Sequence, residues 1–344
     1  MTARPIPTDL LPWALAALAQ TRLSEGALTL VAGDASNRRY FRLAGAEASY
    51  IVAEAPPATE KNEAFVSVRD ILAQAGVKVP EILAVDFQRG YLLLEDLGDR
   101  TLLPELDETS VDGFYHLAFA LLGAIAAIDV GNLQLAAYDQ ALLSEELGRF
   151  PTWFVESLMG CSLSDVEREM IQRLDNCLLN SALEQPRVLV HRDFHSRNLM
   201  LLESGELAVI DFQDAVIGPV TYDLVSLLRD CYIRWPADRV QQWALDYRRA
   251  LQGTGELAGV GEAQFLRWFD WMGLQRHIKV LGTFARLYLR DGKSGYLDDL
   301  PLVIHYVEEI LDKYADEEPA FAEFGLWFRG RLSPLIAQQS WSSH

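Results

Sequence analysis

The chain has 344 residues, half of them hydrophobic, and its 49 acidic residues outnumber 30 basic ones to give a formal net charge of −19. This length suffices for one bilobal unit or two domains. The acidic surplus argues against nucleic acid or an anionic membrane as a main partner, because both need a positively charged surface.

The sequence predicts a cytoplasmic protein. Pro5, Pro7 and Asp9 interrupt any apolar run near the start, so no signal peptide is expected. No apolar stretch approaches the length of a membrane span. The three cysteines form an odd set without metal-binding spacing, which is typical of reduced thiols.

Strand-like runs dominate the chain before residue 98. The predicted elements are a helix from Thr8 or Asp9 to about residue 19, strands at 27–32, 39–43 and 50–54, a helix at 60–75, and strands at 79–85 and 91–95. The expected boundary therefore separates a nucleotide-binding lobe, residues 1–97, from a larger lobe, residues 98–344.

A loop of small and polar residues joins the first two predicted strands. Such a loop lets backbone N–H groups approach phosphate, although an ordinary polar hairpin turn is the alternative. The candidate phosphate contacts in and beside it are Gly33, Ser36, Asn37, Arg38 and Arg42.

The strand at 91–95 runs into Glu95-Asp96-Leu97-Gly98, a segment called the hinge below. Backbone groups near Glu95 and Leu97 could bind the edge of an adenine ring. Helices are predicted at 110–129, 142–158, 164–185, 222–231, 238–251, 262–289 and 300–315. Trp268, Trp271, Leu274 and Ile278 recur at helical spacing, which favours packed core over a ligand site.

The segment His191–Phe212 has the strongest functional pattern. Asp193 follows His191-Arg192, Asn198 comes five residues after Asp193, and Asp211 precedes Phe212. Two short apolar runs and a Glu-Ser-Gly turn predict a hairpin between Asn198 and Asp211. This spacing fits phosphoryl transfer from a magnesium nucleotide.

A metallohydrolase is the rival interpretation of the same segment. His191, Asp193 and His195 alternate as residues on one face of a strand would, and all three could bind a metal. The following Ser-Arg-Asn indicates a loop instead, and no further His/Asp cluster is visible to complete a metal site.

The order of strands, hinge, helices and the His-Arg-Asp…Asn…Asp motif resembles the aminoglycoside phosphotransferase and choline kinase family. The likeness covers residues 24–315. It implies an α+β, bilobal protein-kinase-like fold, with an antiparallel sheet and a helix in the small N-terminal lobe and a mostly helical C-terminal lobe. The stretch from Val209 to Pro236 is most similar to bacterial anomeric amino-sugar kinases of cell-wall recycling.

The resemblance implies a role for each matching residue. Asp193 would accept the proton of the acceptor hydroxyl, and Arg192 would organise its loop. Asn198 and Asp211 would bind Mg²⁺, with ATP as phosphoryl donor. Asp223 would anchor the loop. Glu63 would match the partner of the family's phosphate-binding lysine, and Glu95 and Leu97 would lie at the adenine site.

Two departures from the family pattern stand out. The strand at 50–54 lacks the phosphate-binding Lys or Arg, which leaves Arg42, Lys61 and Arg38 as substitutes and puts the role of Glu63 in doubt. Gln213 stands where kinases have the glycine of Asp-Phe-Gly and should restrict the backbone there.

The acceptors implied by the resemblance are N-acetylmuramate and N-acetylglucosamine, phosphorylated at the C1 hydroxyl by a monomeric enzyme. The lactyl carboxylate of N-acetylmuramate requires a cation, for which Arg197, Arg234 and Arg276 are candidates. His195 could contact the sugar or pack within its loop. An aminoglycoside or small-alcohol kinase, or a pseudokinase regulator, remains the alternative function.

Overall fold

The computed structural model describes residues 4–18, 26–33, 37–45, 48–252 and 257–342. Two compact units make up the chain. The first comprises Met1–Glu105 with Arg197–Asp214, and the second comprises Leu106–Ser196 with Ala215–His344. The expected lobe boundary after residue 97 stays a prediction. The first compact unit also includes residues 98–105 and the later segment Arg197–Asp214.

The described residues form strands and helices in alternating groups. The strands are β1 (Leu28–Gly33), β2 (Arg39–Ala44), β3 (Ser49–Glu54), β4 (Ile82–Asp86), β5 (Tyr91–Glu95), β6 (Arg187–Val190), β7 (Leu199–Leu201), β8 (Leu207–Val209) and β9 (Val216–Pro219). The helices are α1 (Leu10–Ala17), α2 (Asn62–Gln74), α3 (Val111–Ala126), α4 (Gln140–Leu147), α5 (Asp165–Leu183), α6 (Tyr222–Leu228), α7 (Ala237–Gln252), α8 (Glu262–Asp291), α9 (Leu300–Lys313), α10 (Pro319–Trp327) and α11 (Ser333–Ile336). None of the described helices is long and apolar enough to cross a membrane.

An antiparallel sheet of order β1-β2-β3-β5-β4 forms the body of the first unit. One face packs on α1, where Leu10 and Ala14 contact the cluster that includes Phe41 and Val52. The five predicted strands are therefore confirmed, with bounds shifted by a few residues. Helix α2 ends at Gln74 and is followed after one residue by Gly76, whose φ of 78° suits glycine.

The hairpin of β7 and β8 joins the first unit although it lies about 100 residues downstream of β5. Leu199 pairs with Val209 across the hairpin, and Gly205 takes a φ of 85° in its turn. The Leu102 N–H donates to the Leu199 carbonyl at 2.8 Å, and the Val209 N–H donates to the Lys78 carbonyl at 2.8 Å. These backbone bonds attach the hairpin to the segments that flank the sheet.

Helix α8 lies at the centre of the second unit. It contacts α5, α6, α7, α9 and a π-helical segment, Phe150–Leu158. A helix covered on all sides is expected to be apolar all round, and Trp268, Trp271, Leu274 and Ile278 are buried as predicted. However, α8 also buries charged side chains, including Arg276 and Lys279.

The second unit differs from the sequence prediction at two places. The single helix predicted at 142–158 is α4 followed by the π-helical segment. Pro151 lies at the start of that segment and has no N–H to continue the α-helical pattern. The antiparallel pair β6 and β9, in which Val190 is opposite Val216, was not predicted.

Gly282 permits the closest approach between α8 and the π-helical segment. A methyl group at this position would lie 2.5 Å from the Phe150 nitrogen and 2.6 Å from the Arg149 carbonyl oxygen. We expect Gly282→Ala to destabilise the protein by about 1–3 kcal/mol through overpacking. Gly123→Ala in α3, where a methyl group meets open space, should stabilise it by up to about 1 kcal/mol. Thermal unfolding measures both variants, and the two midpoints should shift in opposite directions. A shift in the same direction would contradict this packing.

Candidate active site

The hairpin of the first unit brings Asn198 and Asp211 together. Asn198 directly precedes β7, and Asp211 follows β8 by two residues, so the hairpin register places them side by side. The Ile210 N–H donates to the Asn198 carbonyl at 3.1 Å. The Asn198 amide nitrogen lies 3.4 Å from the Asp211 carboxylate. The predicted convergence of these two side chains is present.

The chemistry around this pair suits Mg²⁺, which prefers oxygen ligands and is held by one or two protein carboxylates together with substrate phosphates. Gln213 donates its amide to Asp211 at 2.7 Å, and its own side-chain oxygen is buried without a hydrogen bond to the residues described. The described part of the chain contains no group of three or more His, Cys, Asp and Glu side chains that could bind a metal ion without other ligands. Asn198 and Asp211 would therefore hold the ion together with a nucleotide.

Asp211 has left-handed backbone, with a φ of 65°. This conformation is uncommon for residues other than glycine and is often found at functional sites. The Asp211–Gln213 hydrogen bond lies directly at this position. Gln213 thus helps to fix the orientation of the candidate metal ligand.

A cavity of about 470 Å³ adjoins the pair within the first unit. This volume lies in the range of small-molecule sites. The predicted adenine contacts Glu95 and Leu97 line it together with the rest of the hinge. Its complete lining is Val31, Tyr40, Ile51, Phe65, Pro80, Leu94, Glu95, Asp96, Leu97, Gly98, Asp99, Thr101, Arg197, Asn198, Met200, Ile210, Asp211 and Phe212.

Several predicted nucleotide contacts lie away from this cavity lining. Arg42 binds Asp96 through Nε at 2.6 Å and also pairs with Asp99. Glu63 is exposed on α2 and has no ion pair with any described residue, so the structure does not support its expected lysine-partner role. Lys61 pairs with Asp214 at 3.2 Å.

The loop between β1 and β2 is only partly described. Gly33 ends β1 opposite Arg39, whereas Ser36 lies outside the described residues. The Asn37 N–H donates to Glu60 at 3.0 Å. Arg38 is buried over the Phe65 ring and binds Asn62. The roles predicted for this loop stay predictions.

The first part of the catalytic loop (residues 191–198) belongs to the second unit and is anchored from α6. Asp223 accepts the backbone N–H groups of His191 at 2.6 Å and Arg192 at 2.9 Å. Just beyond the other end of α6, Asp230 accepts the Ser196 N–H at 3.0 Å. The anchoring role predicted for Asp223 is confirmed. Asp230 was missed, although in the helix predicted at 222–231 it would lie seven residues after Asp223 and on the same face.

Buried charges hold Arg192 within this loop. Arg192 has a φ of 79° and binds Glu146, which is completely buried. Glu146 also contacts Lys279 at 3.3 Å and the Tyr138 hydroxyl. Burial opposes ionisation of Glu146, but Lys279 and Arg192 outweigh it and lower its pKa. A left-handed arginine is thus held by a fully buried carboxylate.

The Asp193 carboxylate is accessible and strongly favoured in its ionised form. Its side chain is 47% exposed and lies 3.8 Å from the Arg276 guanidinium. Desolvation by the surrounding protein opposes ionisation although almost half of the side chain is exposed, but electrostatic interactions with Lys279, His195 and Arg276 together hold the pKa of Asp193 well below the usual range. Arg276 is itself buried and donates to Ser226 at 2.7 Å. It therefore pairs with Asp193, and its candidate role as the cation for the sugar carboxylate stays a prediction.

Each of the other predicted acceptor contacts is described within its own unit. His195 packs edge-on against Tyr232, with ring centroids 5.3 Å apart. Arg234 is exposed and pairs with Glu309 at 3.1 Å. Arg197 lines the cavity of the first unit. Residues 191–196 form a loop after β6, so they lack the strand geometry on which the metallohydrolase interpretation relied.

Glu146 offers a direct test of the buried charge cluster. We expect Glu146→Gln to destabilise the protein by roughly 3–5 kcal/mol, because it leaves Arg192 and Lys279 buried beside a neutral group. Glu145→Gln is the matched control, since the neighbouring carboxylate is exposed and binds only Arg149 in the ion pairs described. Urea unfolding measures both. Equal midpoints for the two variants would show that the cluster contributes little.

Comparisons with known proteins agree with this geometry. Residues 27–263 match the phosphotransferase enzyme family. The N-acetylmuramate/N-acetylglucosamine kinase of Pseudomonas aeruginosa is 44% identical over 292 residues, 85% of each chain, and the kinase of that name from Pseudomonas putida is 42% identical over 300 residues, 87% of each chain. An ethanolamine kinase from Plasmodium vivax has a similar fold, with a TM-score of 0.65 at 11% identity over 89% of this chain and 91% of its own. The chain therefore belongs to the phosphotransferase enzyme family and has its kinase-like fold.

Proposed function

We propose that this protein is an ATP-dependent kinase that phosphorylates the C1 hydroxyl of N-acetylmuramate and N-acetylglucosamine. The observation that carries the acceptor's identity is the 42–44% identity, over most of the chain, to kinases named for these two sugars. The family implies ATP as donor, with Mg²⁺ generally needed. The pairing of Asn198 with Asp211 in the first unit, and the anchored loop that carries Asp193 in the second unit, each support the chemistry independently of the acceptor.

In the proposed reaction, the sugar oxygen forms a bond to the γ-phosphorus while the bond from that phosphorus to ADP breaks. The hydroxyl proton passes to Asp193, and ADP leaves. A loose transition state makes alignment and charge neutralisation more important than base strength. A low pKa at Asp193 is compatible with such a reaction, and a C1 hydroxyl is more acidic than an ordinary alcohol.

Asn198 and Asp211 are proposed to hold Mg²⁺, which neutralises phosphate charge when bound. Gln213 would keep the Asp211 carboxylate in place through its amide. The hinge and the apolar lining of the cavity offer a site for adenine. Asp223 and Asp230 would keep the Asp193 backbone fixed as the substrate arrives.

Replacing either acidic residue of the proposed site should abolish turnover. We expect Asp193→Asn and Asp211→Asn each to lower kcat by at least about a hundredfold while the fold is retained. Asp312→Asn is the control, because Asp312 is exposed and paired with Arg329. A coupled ADP assay over both amino sugars, an aminoglycoside and choline measures turnover. Wild-type activity on none of them would favour a regulator, and near-normal turnover of either variant would refute its role.

The charge environment of Asp193 predicts a pH effect. The pKa of Asp193 lies below the usual value of about 4. Protonation of Asp193 should therefore not reduce the wild-type kcat at any pH above about 4. Its ionisation also stabilises the fold above pH 4, and this contribution declines as the pH falls. Arg276→Gln removes a facing cation, so the pKa of Asp193 should rise toward its usual value and kcat should begin to fall at a higher pH than in the wild type.

The control is Arg290→Gln, which removes an exposed cation from the end of the same helix. Profiles of kcat against pH, recorded only where circular dichroism shows folded protein, compare the three proteins. A profile for Arg276→Gln that coincides with the wild-type profile down to the lowest pH at which both proteins are folded would show that Arg276 does not tune Asp193.

A further inference from the structure

The absence of a basic residue on β3 leaves the nucleotide phosphates without their usual cation. Five charged residues line the cavity of the first unit: Glu95, Asp96, Asp99, Asp211 and Arg197. Arg197 is thus the single positively charged side chain lining the cavity within the described part of the chain. A cation in a mostly acidic lining is a natural contact for a polyanion.

The three substitutes suggested by the sequence are less well placed. Arg42 is engaged by Asp96 and Asp99 and does not line the cavity. Arg38 is 2% exposed and covers the Phe65 ring instead of reaching the lining. The Lys61 side chain is 74% exposed and pairs with an exposed carboxylate.

The acids of the hinge are compensated from outside the cavity lining. Lys78 binds both oxygens of Glu95, at 2.8 and 2.7 Å. Arg42 binds both oxygens of Asp96, at 2.6 and 3.0 Å. The hinge acids Glu95 and Asp96 therefore add little net negative charge to the cavity lining.

Arg197 also directly precedes Asn198, one of the two proposed metal ligands, and the first unit begins its second segment at this arginine. Both residues lie in the turn and bend that lead into β7. A guanidinium offers a planar pair of donors that matches two phosphate oxygens. The charge, position and donor geometry of Arg197 therefore all suit a phosphate group.

We infer that Arg197 binds the phosphate oxygens of the nucleotide and takes the part that a β3 lysine plays in related kinases. This inference rests on the proposed function only in requiring a nucleoside triphosphate as the donor. It replaces the expectation that Arg197 binds the lactyl carboxylate of the acceptor.

Calorimetric titration of the full-length protein with MgATP, and separately with adenosine, tests this inference. Arg197→Gln should weaken MgATP binding by roughly tenfold or more and leave adenosine binding unchanged, because adenosine has no phosphate. Arg197→Lys should retain part of the MgATP affinity. Arg173→Gln, at an exposed arginine paired with Glu323, should bind MgATP as the wild type does.

Kinetics with the two sugars separate the phosphate role from an acceptor role. If Arg197 binds phosphate, Arg197→Gln lowers kcat/KM for N-acetylmuramate and N-acetylglucosamine by the same factor. A loss confined to N-acetylmuramate, or unchanged MgATP affinity, overturns the inference. Wild-type protein that binds MgATP but phosphorylates neither sugar would refute the proposed acceptors alone, and failure to bind MgATP would refute both proposals.

Discussion

Two buried carboxylates at the ends of α6 hold the segment on which the proposed chemistry depends. Asp223 and Asp230 together accept backbone N–H groups from both ends of residues 191–196. A buried carboxylate is costly unless such donors satisfy it, so loop and helix stabilise each other. The left-handed backbone at Arg192 costs free energy of its own, on the order of 1–3 kcal/mol, and persists because these contacts determine the loop from several directions.

Local ion pairs also explain how a protein of net charge −19 can be compatible with a polyanionic nucleotide. Net charge describes the whole surface, whereas binding responds to the local field. In the first unit, Lys78 and Arg42 neutralise the acids of the hinge. In the second unit, α8 places Arg276 and Lys279 three residues apart on one face, both acting on Asp193. The surplus of acidic residues is therefore compatible with nucleotide binding.

The sequence predicted the parts of the fold that local patterns determine. Period-two runs located the strands of the sheet, and the spacing from Asn198 to Asp211 predicted the hairpin that brings them together. Contacts between distant segments were not accessible in this way. Glu146 on α4 meets Arg192 from the loop after β6 and Lys279 from α8, and a lone glutamate in an amphipathic pattern resembles any surface residue. Arg276 was expected at the sugar for the same reason, since sequence shows its charge but not its partner.

The low pKa of Asp193 also bears on what this residue can contribute to phosphoryl transfer. A carboxylate surrounded by cations is a weak base, so it gains little by taking a proton before the phosphorus–oxygen bond forms. In a loose transition state the acceptor oxygen is still largely protonated, and the hydroxyl needs a fixed acceptor for its hydrogen bond. In the proposed reaction, an ionised Asp193 on an anchored loop would provide this acceptor. The cations on α8 would thus contribute to orientation of the acceptor hydroxyl, and the anchoring carboxylates of α6 would determine how well that orientation is kept.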